Sequence, residues 1–282
     1  MCAFKWQDHK HRLTLPFFIQ PKLNGVRALY HLGRMQSRGL SNEEGKVWHP
    51  SVVAHITSEL DSIVPHGWLL DGEMYLHGLS LQQINSAIAV KRIVPSPKTP
   101  TIQYHVFDII DTNNLHLPFM ERARLLETLR EKLVIHQARS IACVPTTLIN
   151  VEGLDNTLYG QYRSQGYEGI MYRDPSAPYG FAEECTNKEN RWRYLLKRKG
   201  WEDGEFEILA FELTTGEKGN QGFQLTAQTK EGKTFNVGSG LSHAEQLYYA
   251  EHQPIGQLVK VRFEMLSDTG IPLKPTIEAI LE

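Results

Sequence analysis

The feature that most constrains the fold of this chain is a change in its hydrophobic pattern near Gly200. Before Gly200, short apolar runs that end in turn residues are interspersed with segments whose apolar residues recur at helical spacing. After Gly200, runs of β-forming residues surround a single short helical pattern at 242–251. The charge reverses at the same place, because residues 188–199 contain six basic side chains whereas residues 202–217 contain six acidic and no basic ones. The sequence therefore predicts two domains, 1–200 and 201–282.

The first domain is predicted to be α+β with mostly antiparallel strands. Its predicted strands and helices interleave along the chain: strands at 25–32, 45–50, 67–76, 101–110 and 169–174, and helices at 50–64, 80–90, 120–136 and 157–166. The second domain reads as a strand, a hairpin that turns at 230–233, a short helix and two more strands. That order is typical of a small β-barrel such as an OB-fold.

Composition narrows the environment and the chemistry. The formal net charge of the 282 residues is -2, so nucleic-acid binding would have to come from local basic patches. Three distant cysteines fit neither a disulfide framework nor a zinc site, and the histidines lack metalloprotease spacing. The chain begins without the apolar core of a signal peptide and has no apolar run of about 18 residues. We expect a cytoplasmic protein without a membrane partner.

Lys22 raises the question of chemistry, since it stands between Pro21 and the tight Asn24-Gly25 pair. Taken alone, a lysine in this setting is usually a solvated hairpin residue. Four later stretches change its context, because each places a charged or aromatic residue at the end of an apolar strand: 70–75, 105–110, 167–173 and 194–200. Side chains at strand ends are how a site is assembled on a rigid sheet.

In chain order these stretches resemble the motifs of the covalent nucleotidyltransferases, which comprise DNA ligases, RNA ligases and mRNA capping enzymes. The nucleophile motif of that family, K-x-D-G-x-R, is similar to KLNGVR at 22–27. The later motifs follow in the family's order: SRG with Arg38, DGE with Glu73, a strand with Phe107 and Asp108, EG with Glu168, and KRK with Lys197 and Lys199, preceded by Arg191. The segment 205–249, which includes FNVGSGLS, looks like the OB domain of ATP-dependent DNA ligases.

The resemblance implies a minimal two-domain enzyme of the viral or bacterial type, with an ATP-grasp-like nucleotidyltransferase domain followed by an OB-fold. It implies that Lys22 is the nucleophile and that Lys197 and Lys199 act as catalytic cations. It further implies a nucleotide-binding set in which Arg27 and Glu73 hold the ribose, Phe107 stacks on adenine and Gln20 lies near the adenine amino group, together with Arg38, Glu168, Arg191, Lys197 and Lys199. Glu168 and Glu73 are the implied ligands of Mg²⁺, for which Mn²⁺ could substitute, since hard cations prefer oxygen ligands.

The implied reaction is the sealing of nicks in duplex DNA, with ATP as the donor and with roles in DNA replication, repair and recombination. ATP is expected because only 21 residues precede Lys22, whereas an NAD-dependent ligase needs an extra domain there. The protein is expected to act as a monomer on nicked duplex DNA, either near the nucleoid or in a host cell. Residues 200–204 are expected to form a hinge.

Three positions depart from the family pattern. Asn24 replaces the aspartate of the nucleophile motif, and Arg173 stands where many relatives have lysine. In the C-terminal motif, which falls at residues 270–282, Lys274 is the only basic residue. Because the family uses basic residues there to orient pyrophosphate, we expect any loss of activity in the first step, the adenylylation of Lys22.

Two alternatives stay open from the sequence. An RNA ligase or a capping-type enzyme would accept Asn24 and would differ in its use of GTP or of nicked RNA. An inactive nucleic-acid-binding homologue would bind DNA without transferring AMP.

Overall fold

The computed structural model describes residues 2–37, 45–181, 191–215 and 221–281, and it divides into two compact units, Met1–Lys199 and Gly200–Glu282. Each unit has its own hydrophobic core. Arg38 lies outside the described residues, and of Arg191 only the backbone is described.

One sheet of the first unit carries the segment of the predicted nucleophile. Its strand order is β1-β10-β9-β2-β8, and its members are β1 (Cys2–Lys5), β2 (Phe17–Lys22), β8 (Thr147–Ile149), β9 (Gly169–Arg173) and β10 (Arg191–Lys199). β1 pairs with β10 in parallel, and the other pairs are antiparallel. Pro21 is tolerated within β2 because β8 pairs only with Phe17, Phe18 and Ile19, which leaves Pro21 with a strand neighbour on one side.

The second sheet of this unit has the order β4-β3-β5-β6-β7. Its strands are β3 (Val26–His31), β4 (Arg34–Ser37), β5 (Trp68–Tyr75), β6 (Gln103–Asp111) and β7 (Ile141–Cys143). β6 and β7 are parallel and the remaining pairs are antiparallel. The predicted strand at 45–50 is wrong: the described part of that segment makes one isolated bridge, Val47 to Gln36, and helix α2 already begins at Pro50.

Helices cover these sheets. They are α1 (Trp6–His9), α2 (Pro50–Ile63), α3 (Leu81–Ile88), α4 (Phe119–Ile135) and α5 (Leu154–Ser164), with short 3₁₀ turns at Lys10–Arg12 and Thr99–Thr101. Ser80 begins α3 with a capping box, in which Ser80 and Gln83 satisfy each other's backbone N–H groups. The four longer helices confirm the predicted helical segments, although α5 begins three residues earlier than its apolar spacing indicated.

The buried Tyr104 connects three strands of the second sheet through hydrogen bonds from its hydroxyl group. Tyr104, which is fully buried, donates its hydroxyl to the carbonyl oxygens of Ala28 and Leu70 at 3.0 Å each. Its ring lies where a side chain on Gly72 would be, because a Cβ there would be 2.7 Å from Tyr104. Glycine at the centre of the DGE segment therefore lets β5 pack over this tyrosine.

The second unit is built on a five-stranded antiparallel sheet in the order β13-β12-β11-β14-β17. Its elements are β11 (Glu202–Thr215), β12 (Gln221–Gln228), β13 (Thr234–Val237), α6 (His243–Glu251), β14 (Leu258–Phe263), β15 (Met265–Leu266), β16 (Pro272–Leu273) and β17 (Thr276–Leu281). The predicted hairpin at 230–233 is confirmed, as Thr229 accepts a backbone hydrogen bond from Gly232 and donates one to Lys233. Every second residue of these strands points into the core, which agrees with the alternation of apolar and polar residues in the sequence.

In the described part of the chain, none of the helices is both long and apolar enough to span a membrane.

Candidate active site

A cleft of about 240 Å³ in the first unit brings together the ends of strands from both of its sheets. Its walls come from β1, β2, β3, β5, β6, β9 and β10. Six of the residues predicted from the sequence line it: Gln20, Lys22, Arg27, Glu73, Phe107 and Lys197. The cleft therefore joins cations, a carboxyl group and an aromatic ring in one concave site.

Lys22 lies at the end of β2 and points to an acidic partner. Its Nζ forms an ion pair with Glu168, and it also donates to the carbonyl oxygen of Leu23 at 3.3 Å. Gly25 is required by close approach, because a Cβ there would lie 2.3 Å from the carbonyl oxygen of Met74. The backbone N–H of Gly25 donates to Oε1 of Glu73 at 3.2 Å, which attaches the turn after Lys22 to the second sheet.

Glu168 bridges two lysines. Its other oxygen, Oε1, is 2.5 Å from Nζ of Lys199, and its side chain is only 7% exposed. Burial alone would raise the pKa of Glu168, but the charges of Lys22 and Lys199 outweigh burial and the pKa lies below its usual value. A Cβ on Gly169 would be 2.0 Å from the carbonyl oxygen of Arg198, so only glycine lets β9 and β10 approach closely enough for this bridge.

Arg27 is held in place by the buried Asp71. The Nε of Arg27 donates to Oδ1 of Asp71 at 2.8 Å, Nη2 pairs with Oδ2, and the hydroxyl of Tyr179 donates to the same Oδ2 at 2.7 Å. Although burial by itself lowers the pKa of Arg27, the charge of Asp71 raises it well above the ordinary value. Arg27 is thus a fixed cation at the edge of the cleft.

Glu73 lies two residues from Asp71 on the same strand, opposite Arg27 in the neighbouring strand. Burial raises the pKa of Glu73 to about 7, although Lys22 and Arg27 counteract that effect. Glu73 can therefore exchange a proton near neutral pH, which is unusual for a glutamate.

Phe107 occupies an irregularity in the sheet. Asp71 pairs with Asp108, whereas the next residue, Gly72, pairs with Val106, so Phe107 is the extra residue of a bulge between β5 and β6. Bulges change the direction of a side chain, and here the half-buried ring lines the cleft. The guanidinium carbons of Arg27 and Arg173 lie 5.7 and 5.5 Å from its centroid. The ring is therefore available as a flat apolar surface bordered by cations.

A buried ionic network lies behind Phe107. Asp108 is fully buried and accepts from Nε of Arg122 at 2.7 Å and from Nη1 of Arg173 at 2.6 Å. Burial opposes its charge, but the two arginines lower its pKa below the ordinary value. Sequence reasoning named Asp108 without a role and missed Arg122 and Arg173 as its partners. The available signal was an aspartate inside an apolar strand, which requires a buried counter-charge.

The carboxylates expected to hold a metal do not form a preformed site. Among the residues that the structure describes, there is no cluster of three or more His, Cys, Asp or Glu side chains. Glu168 bridges two lysines, and Glu73 accepts from Gly25. These groups fit a Mg²⁺ ion that takes most of its ligands from phosphate oxygens and water, as Mg²⁺ commonly does.

Comparison with known proteins identifies the matching domains. The family model of the ATP dependent DNA ligase domain matches residues 6–195, and that of the DNA ligase OB-like domain matches residues 216–280. DNA ligases of African swine fever virus are similar in sequence: that of strain Badajoz 1971 Vero-adapted is 27% identical over 218 residues, and that of isolate Pig/Kenya/KEN-50/1950 is 28% identical over 216 residues. Each match covers 71% of this chain but 45% of the viral protein, so the chain spans less than half the length of these curated relatives.

Solved structures share the fold. A Lig E DNA ligase, described as binding DNA with a minimal scaffold, has a TM-score of 0.73 at 21% identity. The match covers 99% of this chain and 98% of the Lig E chain. The Chlorella virus DNA ligase-adenylate has a TM-score of 0.51 at 19% identity, with 100% of this chain and 96% of that chain covered.

Proposed function

Because the chain belongs to the ATP-dependent DNA ligase family, we propose that it joins a 5′-phosphate to a 3′-hydroxyl at a nick in duplex DNA through an adenylylated Lys22. The observation that carries this proposal is the position of Lys22. Lys22 lines the same cleft as Phe107 and Lys197, and Glu168 forms ion pairs with both Lys22 and Lys199.

The first step requires the neutral amine of Lys22. The ammonium of Lys22 first loses a proton to solvent. Its neutral Nζ then attacks the α-phosphorus of ATP; the new P–N bond replaces the P–O bond to the β-phosphate, pyrophosphate leaves with the electron pair, and Nζ releases a second proton to solvent. The ion pair with Glu168 has to open before this attack, and Lys199 remains as the partner of that carboxylate. Lys197 and Lys199 would stabilise the charge on the α-phosphate, since phosphoryl transfer depends mainly on positioning and electrostatics.

The next two steps transfer and then release AMP. An oxygen of the DNA 5′-phosphate attacks the same phosphorus, the P–N bond breaks, and the amine of Lys22 regains a proton. The 3′-hydroxyl then loses its proton and attacks the 5′-phosphate, so that a phosphodiester forms and AMP leaves. Lys22 is restored at the end of the cycle.

The nucleotide would lie along the cleft with its base on Phe107. A purine stacks favourably on a phenylalanine ring, and the cations beside Phe107 border that surface. Arg27 and Glu73 would contact the ribose hydroxyls, as Arg27 is fixed by Asp71 and Glu73 by the N–H of Gly25. Arg38 and Arg191 are proposed as further nucleotide contacts.

Mg²⁺ is the proposed metal, with Mn²⁺ as a substitute. Glu168 and Glu73 would hold it together with the phosphate oxygens of the nucleotide. When bound, the ion would neutralise phosphate charge and align the leaving pyrophosphate.

The DNA would be held through its phosphates as the substrate of a monomer. Lysine and arginine contacts to phosphates are independent of sequence and release counterions, so binding should weaken steeply as salt increases.

The test is acid-resistant labelling by α-labelled ATP in the presence of Mg²⁺, with α-labelled GTP in parallel. Wild type should take label from ATP, Lys22→Ala should take none, and Lys98→Ala, an exposed lysine in a loop, should label like wild type. The labelled protein should then convert a nicked DNA duplex with a 5′-phosphate into a sealed strand.

Each alternative has its own result. Label from GTP in place of ATP, or sealing of nicked RNA and not of nicked DNA, would favour a capping-type enzyme or an RNA ligase. Folded protein that binds DNA equally well in wild type and Lys22→Ala, and that takes no label and carries no prior adenylate, would refute the ligase proposal.

A further inference from the structure

Gln20 has an almost fully buried carboxamide, and both N–H groups of its Nε2 are engaged in hydrogen bonds. It lies two residues before Lys22 on β2, lines the cleft, and is 1% exposed. Its Nε2 donates to the carbonyl oxygen of Phe107 at 2.9 Å and to Oγ1 of Thr146 at 2.8 Å. Its Oε1 accepts from Nε of Arg173 at 2.7 Å.

These partners allow only one orientation of the amide. A backbone carbonyl can only accept a hydrogen bond and a guanidinium can only donate one, so exchanging Oε1 and Nε2 would create two repulsive contacts. Both N–H bonds of Gln20 are used by Phe107 and Thr146. The hydrogen-bonding capacity that Gln20 retains is the second lone pair of Oε1, which is an acceptor.

Arg173 is itself immobilised. Its Nη1 donates to the buried Asp108 at 2.6 Å, its side chain is 5% exposed, and its guanidinium lies 4.6 Å from the ring centroid of Phe119. Asp108 is held in turn by Arg122, which donates to both carboxylate oxygens and to the carbonyl of Leu117. The donor that orients Gln20 is thus fixed before any nucleotide arrives.

We propose that Arg173 is a positioning residue for base selection: by holding Oε1 of Gln20 as an acceptor, it makes the cleft prefer a 6-aminopurine nucleotide over a 6-oxopurine nucleotide. The proposal rests on the proposed function, in which the base lies on Phe107. A 6-amino group donates to Oε1, whereas a 6-oxo group places a second acceptor against it. Without Arg173, one of the two contacts that exclude the reversed carboxamide is lost and only the contacts to Phe107 and Thr146 still oppose it, which weakens the preference.

The experiment compares the affinities of ATP and ITP, which differ in the group on carbon 6 of the purine. Calorimetry is done in a Lys22→Ala background, so that no covalent transfer occurs and binding is measured alone. Arg173→Met should lower the ratio of the ITP to the ATP dissociation constant by about tenfold, the size expected for one net hydrogen bond of about 1.4 kcal/mol. Thr146→Val, which leaves the buried ions intact, should lower the ratio in the same direction by a smaller factor.

Arg122→Met is the matched control, because Arg122 binds the same aspartate while its other hydrogen bonds go to the carbonyl oxygens of Leu117 and Ala177. It should lose stability and keep the wild-type ratio. The proposal is overturned if Arg173→Met and Thr146→Val both keep the ratio, or if Arg122→Met lowers it as much as Arg173→Met does. Should Arg173→Met not fold, Thr146→Val decides. Labelling of wild type by ATP is scored separately, so absence of label refutes the ligase proposal whatever the ratio shows.

Discussion

Substituting Asp108 with asparagine tests whether the buried ions behind Phe107 hold the first unit together. Asp108 is fully buried, and its oxygens accept from the Nε and Nη2 of Arg122 and from Nη1 of Arg173. Asparagine has nearly the same shape, but its carboxamide carries no charge and has one acceptor oxygen in place of two. The variant therefore leaves two buried guanidinium groups without their counter-ion.

The expected loss in the free energy of unfolding is about 3–5 kcal/mol, the range for breaking a buried ion pair by removing one partner. Both arginines are nearly as buried as the aspartate, at 3% and 5% exposure, so water can offset little of this loss. For a unit of this size, about 2–4 °C per kcal/mol gives a drop in Tm of roughly 6–20 °C.

Urea unfolding followed by tryptophan fluorescence is a suitable assay, because four of the five tryptophans lie in the first unit: Trp6, Trp48, Trp68 and Trp192. The matched control is Glu121→Gln, which removes an exposed helical ion pair with Arg124 at 2.7 Å. That pair should contribute no more than about 0.5 kcal/mol.

If Asp108→Asn is destabilised no more than Glu121→Gln, the network does not stabilise the fold and the reasoning is refuted. The pH dependence gives a second check. Because the arginines lower the pKa of Asp108 in the folded chain, its stabilising effect is complete above the ordinary carboxyl pKa of about 4. The difference in stability between wild type and Asp108→Asn should shrink as the pH falls below that value.

Two further predictions concern single substitutions in the first unit. Burial raises the pKa of Glu73 from 4.5 to about 7, so the folded chain loses stability as the pH rises from 4.5 to 7. Glu73→Gln should remove that loss. The Tm of the variant should therefore exceed that of wild type by an amount that grows from pH 4.5 to 7. A Tm advantage that stays constant over this range would contradict the raised pKa. Gly169→Ala should destabilise the first unit by about 2 kcal/mol or more through its clash with Arg198, whereas Gly160→Ala, which has open space on α5, should stabilise it by about 0.5 kcal/mol; equal unfolding midpoints would disprove the close approach.

Local pattern predicted much of the fold. The helices with strong apolar spacing and the hairpin at 230–233 follow from side-chain periodicity and turn residues, which are properties of neighbouring residues. The predicted strand at 45–50 failed because the segment contacts β4 only around Val47, through the bridge to Gln36, before α2 begins at Pro50; a β-forming composition does not show how far such pairing extends. The early start of α5 at Leu154 depends on Gly153, whose φ of 81° ends the preceding loop.

The sequence predicted the residues of the site that belong to motifs, but not the geometry and the partners that depend on tertiary structure. The motifs named Lys22, Glu73, Phe107 and Lys197, and the structure brings these residues to one cleft. The bulge that aims Phe107 was not predictable, because it arises from the register between β5 and β6. For the same reason the partners of Asp108 escaped detection: they lie on α4 and β9, 14 and 65 residues away in the chain.

The short strand β2 has a kinetic consequence. Gln20 and Lys22 are separated by one residue, so their side chains leave the same face of the strand at a spacing of about 7 Å. As proposed, Gln20 meets the base and Lys22 meets the α-phosphate of the same nucleotide. A base that sits poorly against Gln20 therefore also shifts the phosphorus away from the amine. Discrimination against a wrong nucleotide should then appear twice, once in its occupancy of the cleft and again in a slower bond-forming step after it has bound.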